Sequence, residues 1–356
     1  MALLNHENMK RLPLFLCCCL ALSCLPAQHS DEILTELRIK IEQGSYPNIE
    51  GIILEHQGNI EVEEYYNGFT RDSLHDTRSA FKSVTSMLAG IAIDQGLFEL
   101  DDQLENFFPE WKDDERGNIT VHHLLEMKAG LDCEEFYGFG PDCEDPMWES
   151  KDWIAFCLDL ELIHHPGQNW SYSSIPPMLM GEVIARQSGM TLMAFAKQYL
   201  FDPLGIEGYR WTLSPKGRGM AAGSFFIRPI DMLKLIKLVQ QGGTWQGQRI
   251  VSQAWLDLST TCSTGLEFSF LRSSHMHQAT YHRTNYGLYW YRERLSYQDI
   301  DTEVLFASGN GGQYMMWLAD YDALVVFTGG NYGNWRGKLP FEILLKYLIP
   351  IMGRED

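Results

Sequence analysis

Strand-like segments lie at both ends of this 356-residue chain, whereas helical periodicity dominates its middle. The end segments are short and apolar or alternating, and turn residues bound them, as is typical of β-strands. The predicted strands span 51–56, 60–66, 304–308, 313–319 and 323–328. The economical assembly is an α/β fold in which one antiparallel sheet, built from about 45–70 and 300–348, is flanked by terminal helices, with a mostly helical lobe over about 84–300 inserted.

The first 27 residues have the pattern of a secretory signal peptide. A basic pair precedes an apolar run from Leu12 to Leu22, and Pro26-Ala27-Gln28 offers a cleavage junction. The apolar run is too short to span a bilayer comfortably. We therefore expect an exported protein, periplasmic or extracellular, with one mature domain over 28–356. In the alternative, lipid attachment at Cys24 anchors the protein, and a membrane is a partner only in that case.

The composition excludes some partners. Asp and Glu number 47 against 28 Lys and Arg, which gives a formal charge of −19. Such a surface repels nucleic acid and anionic membranes, so neither is an expected partner. Hydrophobic residues make up 45% of the chain, enough for a sizeable core.

Four of the eight cysteines lie outside the predicted signal peptide. Cys133 and Cys143 are ten residues apart in an acidic, aromatic loop, and either form a disulfide in an oxidising compartment or remain free buried thiols. The chain contains no Cys-x-x-Cys and no His-Glu-x-x-His, so we expect no metal or other cofactor.

Ser79 and Lys82 lie three residues apart at the start of a predicted buried helix, Thr77 to Gly96. On a helix this spacing puts both side chains on one face, so the hydroxyl and the amine can meet. A serine becomes a nucleophile only if a base takes its proton. The free N–H groups at the start of a helix also suit a developing oxyanion.

Two later segments supply what such a nucleophile needs. Tyr172, in a turn before a strongly periodic helix, carries a phenol that can relay a proton. The glycine-rich segment Ala307 to Gln313 joins two predicted strands and lets a substrate approach the backbone closely. An aromatic run from Tyr286 to Tyr291 either lines an acyl pocket or packs in the core.

Three ordered motifs resemble a known family. Ser79-Ala-Phe-Lys82, Pro166-Gly-Gln-Asn-Trp-Ser-Tyr-Ser-Ser174 and Gly309-Asn-Gly-Gly-Gln313 are similar to the signature elements of the serine β-lactamase and penicillin-binding-protein superfamily, in its class C and esterase-like branch. The resemblance covers roughly residues 50–348. It implies a β-lactamase/transpeptidase-like fold and acyl transfer through a covalent intermediate on Ser79, with Lys82 as general base or its electrostatic partner and Tyr172 as proton relay.

The resemblance also assigns roles around the nucleophile. Ser174 stands in place of the family's usual asparagine. Asn310-Gly311-Gly312 stands where the family has Lys-Thr-Gly or His-x-Gly. By the same carry-over, the backbone N–H groups of Ser79 and Gln313 form the oxyanion hole.

One departure bears on the substrate. Asn310 replaces a cation that holds the substrate carboxylate in members that bind β-lactams. A small-molecule or peptide-like ester or amide without that carboxylate fits better. Two alternatives stay open: a β-lactamase or D-alanyl-D-alanine peptidase, and a non-catalytic binding or sensor protein that keeps the fold.

Overall fold

The structure is a computed structural model that describes residues 24–138 and 140–353. The predicted signal peptide lies outside the described residues up to residue 23, and the first helix begins at Cys24. The α-helices are α1 (Cys24–Glu42), α2 (Phe81–Asp94), α3 (Val121–Leu125), α4 (Glu144–Glu149), α5 (Trp153–Asp159), α6 (Ile175–Ser188), α7 (Leu192–Ala196), α8 (Asp202–Leu204), α9 (Pro229–Gln240), α10 (Gln253–Ser259), α11 (Phe270–Ser273), α12 (Leu339–Ile343) and α13 (Ile349–Met352).

The β-strands form one large sheet and two small ones. They are β1 (Ile49–His56), β2 (Asn59–Tyr65), β3 (His75–Asp76), β4 (Tyr209–Trp211), β5 (Phe225–Ile227), β6 (Thr244–Trp245), β7 (Gln248–Arg249), β8 (Thr264–Gly265), β9 (Thr280–Tyr281), β10 (Asn285–Gly287), β11 (Trp290–Tyr297), β12 (Ile300–Gly309), β13 (Gln313–Leu318) and β14 (Ala323–Gly329). In the described chain the large sheet has nine strands, in the order β2-β1-β14-β13-β12-β11-β10-β8, with β9 on β11.

The large sheet is antiparallel and unites the two ends of the chain, as the sequence predicts. The β1–β2 hairpin lies next to β14, with Ile53 opposite Val326. Strands β1 and β14 are mostly buried, so closing this pairing buries residues that are more than 250 positions apart in sequence. The fold is therefore the predicted antiparallel sheet with flanking helices and an inserted helical region.

The sheet takes in more of the chain than the sequence indicates. Strands β8 to β11 lie within the stretch assigned to the helical lobe. The β10–β11 hairpin turns at Leu288 and Tyr289, which both have positive φ values of 41° and 71°. Such turns normally contain Asn or Gly. Because neither residue occurs there, the sequence carries no hairpin signal at this point.

Helix α2 occupies the centre of the molecule. Its residues from Phe81 to Ala92 are buried, and it contacts α6 on one side and β12 on the other. A helix that is apolar on every side must be enclosed by other elements. The start of α2 is thereby fixed between the sheet and the helical region. None of the described helices combines the length and apolarity that crossing a bilayer needs.

Candidate active site

Ser79 lies in a tight turn that leads into α2. Arg78–Ala80 form one 3-10 turn, so Ser79 precedes the α-helix rather than lying within it. Arg78 has a positive φ of 48°, which is uncommon for a residue with a side chain. Phe81, the first residue of α2, is fully buried against Phe225 and Trp211, with ring centroids 4.7 and 5.1 Å away. This packing anchors the turn that carries the hydroxyl.

Lys82 and Ser79 meet as their spacing predicts. Lys82 is only 2% exposed. Its Nζ donates to Ser79 Oγ at 3.1 Å and to the carbonyl oxygen of Ala222 at 3.0 Å, and it lies 3.5 Å from Ser174 Oγ. A buried ammonium must find acceptors on all sides. These contacts hold the amine at the nucleophile and nowhere else.

Tyr172 completes the group that the sequence singles out. The Lys82 Nζ lies 4.8 Å from the centroid of the Tyr172 ring, within the range of a cation–π interaction. Tyr172 is 7% exposed and packs among other rings, including those of Phe136, Trp170 and Tyr286 at 5.6, 6.0 and 6.5 Å. The structure thus brings Ser79, Lys82, Tyr172 and Ser174 together from two separate parts of the sequence.

A pair of carboxylates lies behind Ser174. Glu135 Oε1 accepts from the Ser174 backbone N–H and Glu135 Oε2 accepts from Ser174 Oγ, each at 2.9 Å. Glu144 Oε2 lies 3.4 Å from the same hydroxyl. Burial raises the pKa of Glu135 to about 7, and the charge of Glu144 adds to this, whereas Lys82 opposes it. The Ser174 hydroxyl therefore lies between the two carboxylates and the Lys82 amine.

These carboxylates also act on the lysine. Burial lowers the pKa of Lys82, but the interactions of the amine with Tyr172, Glu135 and Glu144 outweigh burial, so the pKa of Lys82 is raised overall. At neutral pH the amine is an ammonium ion. A charged amine donates hydrogen bonds and attracts anions, but it cannot accept a proton.

A disulfide holds the acidic pair in place. Cys133 and Cys143 are joined, which is the outcome the sequence leaves open. Glu135 follows the first cysteine by two residues, and Glu144 directly follows the second. Sequence reasoning missed both acids as site residues. The signal that reveals them is this bridge, because it brings the two ends of an acidic loop to one point.

The glycine-rich segment meets the nucleophile at Gly309. A Cβ added there would lie 2.2 Å from the carbonyl oxygen of Thr77 and 3.1 Å from Cβ of Arg78, so only a glycine allows β12 to approach this closely. On another side of the turn, a Cβ added at Gly223 would lie 3.1 Å from the carbonyl carbon of Arg78. The nucleophile turn is packed between two glycine backbones.

The other predicted site residues of this segment form a surface turn and part of the sheet. Asn310 accepts a hydrogen bond from Gly333 N–H at 2.9 Å on the surface. Gly311 and Gly312 turn the chain, with φ values of 96° and 105°. Gln313 is fully buried, and its side-chain amide bonds Gly329 on the neighbouring strand.

The structure places Gln313 at the start of the return strand, and its oxyanion role stays a prediction. The hairpin reverses over 310–312, so β12 ends at Gly309 beside the turn, and Gln313 begins the return strand as part of the sheet. The first residue beyond the end of β12 is Asn310.

The comparisons with known proteins agree with this geometry. A family model described as Beta-lactamase matches residues 51–344. The chain belongs to the β-lactamase family. The resemblance inferred from the three motifs is confirmed, and with it the fold.

Curated relatives within the β-lactamase family include amide and ester hydrolases. The 6-aminohexanoate-dimer hydrolase of Paenarthrobacter ureafaciens is 24% identical over 215 residues, 56% of this chain and 54% of that protein. A β-lactamase of Escherichia coli K12 is 25% identical over 146 residues, 41% of this chain and 37% of that protein. Lovastatin esterase of Penicillium rubens is 29% identical over 153 residues, 36% and 37% of the two chains.

A solved structure extends the likeness to nearly the whole chain. The octameric penicillin-binding protein homologue of Pyrococcus abyssi superimposes with a TM-score of 0.67 and 18% identity, covering 88% of this chain and 77% of the other. At this identity the match shows a shared fold. By contrast, this chain spans about half the length of the first curated relative and about a third of the other two.

In the described parts of the chain, no three His, Cys, Asp or Glu side chains are grouped so as to hold a metal ion. The Lys82 amine contacts Ser79 Oγ, and the Tyr172 ring lies 4.8 Å from the same amine. The chemistry that the described residues offer is proton transfer and nucleophilic attack.

Proposed function

We propose that this protein is an exported serine hydrolase that cleaves an ester or an amide through an acyl-enzyme on Ser79. The observation that carries the proposal is the 3.1 Å contact between Lys82 Nζ and Ser79 Oγ, with the Tyr172 ring 4.8 Å from the same amine. A nucleophile, a cation and a second proton-transfer group within one buried cluster are the parts that acyl transfer needs.

The charge of Lys82 decides how the proton moves. An ammonium ion cannot be the general base, so Lys82 acts as the electrostatic partner. Tyr172 relays the proton: its phenolic oxygen takes the proton of Ser79 Oγ as that oxygen attacks the substrate carbonyl carbon, and the proton that the phenol already carries passes to the leaving alkoxide or amine. In the second half of the reaction a water molecule takes the place of Ser79, and the ester to Ser79 is hydrolysed.

The developing oxyanion is placed between the turn and the strand. The backbone N–H groups of Ser79 and Asn310 are the proposed donors, because Gly309 brings the strand end against the turn. Such donors commonly contribute factors of roughly 10²–10³ to kcat.

The proposed substrate class follows from the absence of a cation at the end of β12. If Gly309 is the glycine of the family's Lys-Thr-Gly pattern, Ala307 stands in the place of the lysine, and Asn310 stands there in the register that the sequence suggests. In both registers the position has no cation for a substrate carboxylate. The names of the P. ureafaciens amide hydrolase and the P. rubens esterase favour the same substrate class.

Export is supported by two features. The sequence of the first 27 residues has the order of a signal peptide, and the Cys133–Cys143 disulfide is of the kind that persists in oxidising compartments. Detection of the mature protein outside the cytoplasm, with its N-terminus determined by mass spectrometry, tests both the export and the alternative of lipidation at Cys24.

A fluorophosphonate probe tests the mechanism. We expect a mass shift on the peptide that contains Ser79, and no shift in Ser79→Ala. Ser83→Ala is a matched control one turn along α2, since its hydroxyl bonds Tyr289 rather than the site, and it should keep the label. A non-catalytic binding protein predicts no adduct in any variant.

β-Lactam hydrolysis is the second candidate, favoured by the similarity to the E. coli β-lactamase. Nitrocefin and p-nitrophenyl esters compared on the same preparation distinguish the two. We expect ester hydrolysis to exceed nitrocefin hydrolysis by about 100-fold, since one missing charged contact can cost about 3 kcal/mol. Efficient nitrocefin turnover would reverse the assignment of substrate class.

A further inference from the structure

The acids beside Ser174 have no part in the reaction described so far. Both oxygens of Glu135 accept from Ser174, one from its N–H and one from its hydroxyl. A carboxylate that is occupied in this way is not open to a substrate. Its influence must therefore pass through the residues that it touches.

The contacts of Glu135 lead through Ser174 to the Lys82 amine. Lys82 Nζ lies 3.5 Å from Ser174 Oγ, and Ser174 Oγ donates to Glu135 Oε2 at 2.9 Å. A hydroxyl that gives its proton to Glu135 presents its lone pairs to the ammonium. The hydrogen bond to Glu135 therefore orients the dipole of the Ser174 hydroxyl so that it stabilises the charged form of Lys82.

The loop that carries Glu135 is fastened at several points. The backbone N–H of Glu135 donates to the Tyr172 carbonyl oxygen at 2.8 Å, and Ser171 Oγ donates to the Cys133 carbonyl oxygen at 2.7 Å. The disulfide to Cys143 then fixes the other end of the loop. An acid held by a bridge and by two bonds to the segment of Tyr172 has one position relative to that tyrosine.

We propose that Glu135 is a positioning residue that orients the Ser174 hydroxyl toward the Lys82 ammonium, and that the Cys133–Cys143 disulfide holds it there. This inference rests on the proposed function of Ser79. Its consequence is a dependence on the protonation of Glu135, since a neutral acid accepts the Ser174 O–H less strongly than a carboxylate does.

Four titratable groups face Glu135. They are Lys82 on α2, Tyr172 before α6, Glu144 on α4 and Cys157 on α5, whose pKa burial raises. With a pKa of about 7, Glu135 changes charge near neutrality. We expect kcat/KM for an ester substrate to fall as pH decreases through 7, because Glu135 then gains a proton.

Glu135→Gln tests this directly. The amide keeps the shape of the side chain but has no charge. We expect kcat/KM at pH 8 to fall about tenfold or more, and to vary little between pH 6 and 8. Asp145→Asn is the matched control, because Asp145 is an exposed acid on α4 next to Glu144, and it should keep the wild-type profile. A Glu135→Gln enzyme with the wild-type rate and profile would overturn the proposal.

Two further variants test the route. Ser174→Ala removes the hydroxyl that links Glu135 to Lys82, so its kcat/KM should also vary little between pH 6 and 8. The double variant with Glu135→Gln should lose no more kcat/KM than the more damaging single variant. Additive losses would show that the two residues act separately, against the proposal. Cys133→Ser/Cys143→Ser should also flatten the profile, and an unchanged profile would remove the role of the bridge.

The two proposals fail in different ways. Fluorophosphonate labelling of the wild-type enzyme at pH 8 reports on Ser79 alone. If the wild type is not labelled, the proposed function fails. If it is labelled but Glu135→Gln retains the wild-type pH profile, only the role of Glu135 is wrong.

Discussion

The two sides of the site work by different means. In the proposed mechanism, Lys82, Tyr172, Ser174 and Glu135 on the helical side act through their side chains, which are charged or polar and buried or half-buried. On the sheet side, Gly309 acts through the absence of a side chain. The first side would supply charge and proton transfer, and the second would supply backbone that can approach the reacting atoms. Removing side chains should therefore damage the first side, whereas adding them should damage the second.

The largest effect is expected from Lys82→Met on the helical side. The variant removes the cation that orients the proton transfer while keeping an apolar chain of similar length. We expect kcat/KM for a p-nitrophenyl ester to fall by roughly 10⁴-fold or more, as for members of other catalytic units. Lys216→Met, at an exposed lysine, is the control and should keep the wild-type rate. Substantial activity in Lys82→Met would show that the proton transfer does not need the charge of Lys82.

Gly309→Ala makes the corresponding test on the sheet side. The new methyl group meets the Thr77 carbonyl oxygen and pushes the nucleophile turn from the strand. Displacement of reacting groups by about 1 Å can cost about 100-fold in rate, which is the loss we expect in kcat. In Gly208→Ala the added Cβ meets nothing within 4 Å, so this control should be unaffected. An active Gly309→Ala enzyme would mean that the strand end is not part of the site.

Glu135→Gln is also expected to change stability, in the direction opposite to activity. Burial raises the pKa of Glu135 from 4.5 to about 7, so the folded state holds the proton more tightly than the unfolded state does. The wild type therefore loses unfolding free energy as pH rises from about 4.5 to 7, by about 3 kcal/mol, and the variant is spared this loss. Urea denaturation of both proteins at pH 4.5 and pH 8 measures this change in the free energy of unfolding. If the wild type and Glu135→Gln differ in unfolding free energy by the same amount at the two pH values, the titration does not belong to Glu135.

The smallest effect is expected from Asn310→Ala. Its side chain makes one exposed hydrogen bond, to Gly333, and the proposed catalytic contribution comes from its backbone. We expect less than about a fivefold change in kcat/KM, in keeping with roughly 1 kcal/mol for such a bond. A loss of more than 100-fold would show that the sheet side also works through a side chain.

The same contrast explains what the sequence could reveal. Ser79, Lys82 and Tyr172 are recognisable because their residue types carry the chemistry. The register of the third motif cannot be recognised from the sequence, because the motif contains three glycines, Gly309, Gly311 and Gly312. Only the fold shows that Gly309 is the one that meets the nucleophile turn.

Other parts of the molecule escaped prediction for related reasons. Glu135 and Glu144 become neighbours only through the disulfide, whose formation the sequence left open. The β10–β11 hairpin turns at Leu288 and Tyr289, where the surrounding structure imposes the backbone conformation. Pairing of the two chain ends was predictable, since short apolar strands at both ends favour one shared, buried sheet.

The packing of the nucleophile turn between Gly223 and Gly309 limits how this protein can be redesigned. A Cβ at Gly309 would meet the Thr77 carbonyl oxygen at 2.2 Å and one at Gly223 would lie 3.1 Å from the Arg78 carbonyl carbon, and neither neighbour can rotate away as a side chain can. Libraries meant to change substrate preference would do best to spare these positions and vary Tyr332, an exposed aromatic residue 5.0 Å from the Arg78 guanidinium carbon. Variation there alters the surface beside the turn while leaving the backbone of the turn as it is.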